Sequence, residues 1–272
     1  MEKNAPIGVF DSGVGGLTVV KEIMSQIPNE RIVYFGDTAR VPYGSKSKET
    51  IIKYSRQIIR FLQGEGVKAI VIACNTASAF AIDTVQKEFP MPIIGVIKSG
   101  AKVAVDTTKN GRIGIIGTEG TINSGMYASF IKAQNPDAEV IAKACPLFVP
   151  LVEEGMLNDT ITQQVAVRYL SSLKNENIDT LIMGCTHYPL IKSTIQKIMG
   201  DSVNLVNPAY ETSIELKRLL ETEGLANICE VDSPTLMYRF YVSDAAEKFK
   251  NFANSILPFD IKTIEQINIE KY

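Results

Sequence analysis

The sequence predicts an α/β fold of parallel sheets covered by helices, laid out as two similar units. Two observations carry this. Short β-branched runs alternate with longer amphipathic stretches along the whole chain, the pattern of successive βα units. The chain also repeats itself. Ile7-Gly8-Val9-Phe10 is echoed by Ile113-Gly114-Ile115-Ile116, Pro28–Val33 by Pro136–Ile141, and Ala69–Thr76 by Thr180–His187, in one order and offset by 106 to 111 residues. Each match alone is weak, because βα units look alike. Three in the same order point to two related half-domains facing each other across a cleft. Generic likeness among α/β units is the plain alternative.

Taken in order, the strands are expected at Ile7–Phe10, Arg31–Phe35, Ala69–Ala73, Ile93–Ile97, Arg112–Ile116, Glu139–Lys143, Thr180–Gly184 and Val203–Val206. Helices are expected at Leu17–Gln26, at Ser47–Gln63, from Asn75 to about Glu88, and after Cys185, where Pro189 suits a first turn. Within Ser47–Gln63, residues Ile51, Ser55, Ile58, Ile59 and Leu62 recur at helical spacing. In open parallel sheets ligands bind beyond the carboxyl ends of the strands, so residues just after a strand are the candidates for chemistry.

The 272 residues suffice for one large or two modest domains with a buried core. Lysine and arginine total 28 against 30 acidic residues, a formal net charge of −2, which supplies no field for sequence-independent nucleic-acid binding. The polar N-terminus and the short apolar runs predict neither a signal peptide nor a membrane span, and hence a cytoplasmic protein. Four separated cysteines (74, 145, 185 and 229) with no CxxC pair suggest neither a disulfide framework nor a zinc finger.

In each half a buried-looking strand ends in a cysteine, then small polar residues, then a helix: Cys74-Asn75-Thr76 in the first, Cys185-Thr186-His187-Tyr188 in the second. A thiol ahead of a helix start feels the positive end of the helix dipole and nearby amides, both of which favour thiolate. A lone cysteine there is more often a small buried hydrophobe, but two at matching places shift the balance toward chemistry. Asp11-Ser12-Gly13-Val14-Gly15-Gly16 follows the first strand and lets backbone amides approach an anion; a phosphate loop or a simple turn is the alternative. The Walker and dinucleotide spacings are absent. Asp11 would repel a phosphate but suits an ammonium group or a neighbouring thiol's proton. His187, the single histidine, is open between packing and chemistry. Glu153-Glu154 reads by default as an exposed helix face, Tyr43-Gly44 as a turn, and Cys145 and Cys229 as structural. Cys74, Cys185 and His187 around zinc would lack a fourth ligand.

These segments together resemble the glutamate racemases of the aspartate/glutamate racemase superfamily. The likeness lies in Asp11–Val19, Gly36–Arg40 with Pro42-Tyr43-Gly44, Ala73–Ala77, Pro150–Glu153 and Gly184–Leu190; Cys-Thr-His at 185–187 is similar to the glutamate branch rather than the aspartate one. The resemblance implies cofactor-independent, metal-free interconversion of L- and D-glutamate, supplying D-glutamate for peptidoglycan and thus for cell wall and cell shape. It implies that Cys74 and Cys185 are the two acid/base residues, that Asp11 assists the first, and that Glu153 and His187 assist the second. It places Asp11, Ser12, Tyr43, Gly44, Asn75, Thr76, Thr186 and His187 at the substrate. It further implies two α/β domains related by pseudo-two-fold symmetry with the site in the cleft between them, residues 1–98 plus 208–272 and residues 99–207, and a homodimer. Lys98-Ser99 stands where many members carry Glu-Pro or Leu-Pro, which implies a freer backbone at the domain crossover. Asn207-Pro208-Ala209 stands in place of the frequent Asp-Ser-Gly, at the rear wall of the site.

Racemisation must remove a weakly acidic α-proton and return one from the opposite face. Two flanking bases do this without one base swinging around the substrate. Competing readings are a racemase of aspartate or a hydantoin on the same frame, a cysteine hydrolase using Cys185 and His187, and an amino-acid-binding protein without turnover.

Overall fold

The computed structural model describes residues 2–227 and 237–272; Cys229 lies outside them. Two all-parallel sheets form. The first has the order β10-β9-β2-β1-β3-β4 and the second β6-β5-β7-β8. Strands β1 (Ile7–Asp11), β2 (Ile32–Gly36), β3 (Ala69–Ile72) and β4 (Ile93–Gly95) are matched in the second sheet by β5 (Arg112–Gly117), β6 (Glu139–Ala144), β7 (Thr180–Gly184) and β8 (Asn204–Val206). The order 2-1-3-4 recurs as 6-5-7-8. Register agrees too: Ile7 pairs with Ala69 in one sheet and Ile113 with Thr180 in the other, the same residues that the sequence repeat aligns.

Alternation along each strand explains the layers. In the first sheet Val9, Tyr34 and Val71 face the helices α1 (Leu17–Gln26), α10 (Pro208–Thr222) and α11 (Ala246–Ile256), while Phe10, Phe35 and Ile72 face α2 (Lys48–Gly64) and α3 (Asn75–Glu88). In the second, Ile116, Leu181 and Met183 face α8 (Thr160–Lys174) and α9 (Lys192–Met199). Ile113, Ile115 and Ile182 face α4 (Val96–Thr107) and α6 (Met126–Gln134). Helix α2 begins where Ser47 Oγ accepts the Thr50 amide, and buries Ile51, Ser55, Ile58, Ile59 and Leu62 as their spacing predicts. Short helices α5 (Glu119–Asn123) and α7 (Phe148–Glu153) follow β5 and β6.

The structure corrects several expectations. The strand expected at Ile93–Ile97 stops at Gly95, because Val96 already opens α4, its amide donating to Ser78 Oγ at 3.3 Å. Helix α4 then carries the chain to the second sheet. Lys98 and Ser99 are therefore helical, with Ser99 Oγ bonded to Glu215 of α10: the missing proline permits a continuous helix rather than a loose crossover. Pro189 lies in a 3₁₀ turn, Tyr188–Ile191, and the true helix starts at Lys192. Asn207 caps α10, its Oδ1 accepting the Ala209 amide at 3.2 Å. No strand was expected beyond Val206, yet β9 (Tyr238–Val242) and β10 (Glu265–Gln266) extend the first sheet. Among the described residues no helix is long and apolar enough to cross a membrane.

Candidate active site

Three loops at carboxyl ends of strands converge. Asp11 ends β1, Cys74 follows β3 and Cys185 follows β7. Asp11 is fully buried; the Gly13 amide donates to its Oδ2 at 3.0 Å, while the buried Oδ1 has no hydrogen-bond partner among the described residues. Burial pushes its carboxyl above the usual range, and the charge of His187 with the amides of Gly13 and Gly16 offsets this only in part. The Tyr34 hydroxyl donates to Gly13 O at 2.7 Å and pins the loop.

Cys74 is the N-cap of α3, 5% exposed, its sulfur accepting the Ala77 amide at 3.4 Å and lying 3.8 Å from Ser12 Oγ. Burial pushes the thiol up to about 12, helped by negative charge on Asp11 and Cys185 and opposed by the Ala77 and Ser12 contacts. The helix start alone does not make this sulfur a thiolate; desolvation wins.

Cys185 is 7% exposed, with its sulfur 3.7 Å from His187 Nδ1; His187 Nε2 is 3.1 Å from Glu153 Oε1. Burial disfavours the imidazolium, but hydrogen bonds to Cys185 and Glu153 prevail and raise His187 to about 10. Burial likewise disfavours the Glu153 charge, yet its bond to His187 holds that carboxyl below its ordinary range. Glu153 is thus no idle exposed face: α7 turns it inward, with its side chain 22% exposed.

The two halves touch directly. Thr18 Oγ1 donates to Thr186 O at 3.0 Å, and the Tyr127 hydroxyl donates to Asn75 Oδ1 at 2.7 Å. Thr76 Oγ1 lies 2.9 Å from Thr118 Oγ1 and 3.3 Å from Thr121 Oγ1. A side chain at Gly15 would overlap Thr186 and His187, and one at Gly44 would overlap Thr118. Ser12, Asn75, Thr76, Thr186 and His187 therefore line the junction together with both cysteines. Tyr43 differs: its buried hydroxyl is given to the Asp37 carboxylate. Sequence reading missed Thr18, Thr118, Thr121 and Tyr127. Thr118 had a signal, since it follows β5 as Ser12 follows β1; Tyr127 had none. Cys145, also a free thiol, is buried in the second core, and its carbonyl accepts the Tyr188 hydroxyl at 2.9 Å. Among the described residues no group of three or more His, Cys, Asp or Glu side chains is gathered to hold a metal ion.

Paired α/β domains presenting one thiol each to a shared junction define a class, and comparison with known proteins agrees. Residues 7–210 match the Asp/Glu/Hydantoin racemase model, and the chain belongs to that family. Within it, two curated relatives are glutamate racemases. That of Geobacter metallireducens is 46% identical over 97% of both chains, and that of Neisseria meningitidis serogroup A is 48% identical over 98% of both. The crystal structure of glutamate racemase from Francisella tularensis in complex with D-glutamate superposes with a TM-score of 0.91 at 44% identity, covering 99% of this chain and all of that one.

Proposed function

We propose that this chain racemises glutamate by two-base catalysis, with Cys74 and Cys185 addressing opposite faces of the α-carbon. The observation that carries the reading is the placement of both thiols after equivalent strands of the two sheets, each with its own polar assistant. The identity to glutamate racemases, and the D-glutamate held by the Francisella structure, support glutamate as substrate.

The resting charges suggest a direction of traffic. Cys74, pushed to about 12, rests as thiol. His187, held protonated to about 10, sets a positive charge 3.7 Å from the Cys185 sulfur. Cys185 then takes the α-proton as its C–H bond breaks, while Cys74 delivers its own proton to the other face, forming the new C–H bond. The reverse reaction exchanges the roles. Asp11, with one buried oxygen unpaired among the described residues, is placed to receive the substrate ammonium or to steer the Cys74 proton. Amides of the loops at Ser12, Gly44, Asn75, Thr76, Thr186 and His187 hold the carboxylates. In this reading residues 1–98 with 208–272 form one domain and residues 99–207 the other, supported by the membership of the two sheets. A homodimer working in the cytoplasm, making D-glutamate for peptidoglycan, completes it.

The test is exchange in D₂O. L-glutamate should gain deuterium only at the α-carbon as its optical rotation decays to zero, and aspartate should not. Cys74→Ala and Cys185→Ala should each lower racemisation by at least about 10²–10⁴-fold, the usual worth of a positioned acid or base. Full activity in either variant would refute the two-thiol mechanism.

A further inference from the structure

The loop bearing Tyr43 and Gly44 has only one 3₁₀ turn of regular structure, Tyr43–Ser45, yet it sits at the junction against Thr118. What holds it is a buried chain of polar contacts. The amide of Asp37 donates to Asp11 O at 3.0 Å, so the network begins beside the site. The fully buried Asp37 carboxylate receives Arg40 Nε at 2.8 and 3.0 Å, Ser243 Oγ at 2.9 Å, and the Tyr43 hydroxyl. Arg40 lies over the Tyr54 ring, 3.9 Å from its centroid, and Nη1 donates to Gln57 Oε1 at 2.6 Å and to Glu270 Oε1 at 3.2 Å. Glu270 belongs to the closing turn Ile269–Lys271, anchored by buried Ile269 and by Gln57 Nε2, which donates to Glu270 Oε2 at 3.3 Å.

Contacts therefore run without a break from the chain's last turn through Arg40 and Asp37 to Tyr43. A planar guanidinium can engage a carboxylate, an amide and an aromatic face at once; an ammonium cannot. We propose that Arg40, braced by Glu270, is a positioning residue that fixes the Tyr43–Gly44 backbone toward glutamate, so that the C-terminal turn helps set substrate affinity. This rests on the racemase reading above.

The experiment compares Arg40→Lys, Glu270→Ala and Glu270→Gln with wild type by KM, kcat and Tm. Glu270 is 58% exposed, so its replacement leaves the core intact. Arg40→Lys should raise KM for both enantiomers about 10-fold with kcat within about 2-fold, because a loop displaced by a fraction of an ångström weakens substrate contacts. Glu270→Ala should raise KM about 3-fold with Tm within about 2 °C of wild type, as for other exposed sites. Glu270→Gln, still able to accept from Arg40, should match wild type. An unchanged KM in Glu270→Ala, or an Arg40→Lys enzyme that loses only kcat or Tm, overturns the inference while leaving the racemase reading intact. A wild type that exchanges no α-deuterium overturns both.

Discussion

At the scale of single residues, Asp11 shows how a site holds a group that the fold would rather exclude. Its carboxyl is fully buried, one oxygen lacks a partner among the described residues, and its proton affinity stands above the ordinary value of 3.8. A carboxyl shifted that way opposes folding once pH rises past 3.8, because the folded chain must then keep a proton or carry a buried charge. Asp11→Asn should therefore be at least as stable as wild type at pH 7, with the gain disappearing in acid below 3.8. Its Oδ can still accept the Gly13 amide. Activity should fall about 10²-fold, the lower range for loss of acid/base assistance. Mirror-image substrates have equal free energies in water, so kcat/KM must fall equally in both directions even where kcat does not. Paired melts and initial rates from each enantiomer check both halves of this expectation. The cysteines, His187 and Asp11 were legible because residue type and position after a strand carry the signal. Their proton affinities were not: Cys74 at a helix start looked like a thiolate, and burial reverses that.

At the scale of elements, the junction depends on glycine. A β-carbon on Gly15 would lie 2.3 Å from Thr186 Oγ1 and 2.6 Å from two atoms of the His187 ring. Gly15→Ala must push the Asp11 loop away from the Cys185 loop. Displacement on the order of 1 Å between reacting groups costs about 10²-fold in rate, and overpacking costs about 1–3 kcal/mol in stability. The variant should show both, and a crystal structure should show a wider gap between the loops. Wild-type kcat/KM in a folded Gly15→Ala enzyme would deny that this approach matters. Most elements were legible from alternation and helical spacing. The error at β4 has a clear cause: Val96-Ile97 have a local strand preference, and the surrounding structure chose a helix. Pro189 keeps its place in a first turn, but the turn is 3₁₀ before α9 begins. Strand β10 went unread because its two exposed residues carry no alternating pattern, and β9 joins the sheet beside β2, near the other end of the chain.

At the scale of the whole molecule, the chain must close its first sheet with residues from both ends. Lys68 does part of this from within the core. Its Nζ lies 2.5 Å from Glu30 Oε2 and donates to Lys3 O and Leu225 O, while Glu30 also accepts the Asn227 amide at 2.8 Å. Lys68→Met would leave Glu30 buried without its cation, a loss worth about 3–5 kcal/mol. Chemical denaturation should show that drop, and the double variant Lys68→Met with Glu30→Gln should recover part of it. A neutral Lys68→Met would mean that water reaches the pair.

By itself the sequence determined the βα rhythm, the internal repeat and the chemical identity of the groups at strand ends, because these depend on local pattern and residue type. Only the tertiary structure decided which groups meet across the junction, that Cys74 rests as a thiol, and that the last turn of the chain reaches back to Arg40. Those depend on burial and on contacts between residues up to 230 positions apart, which a linear pattern does not encode.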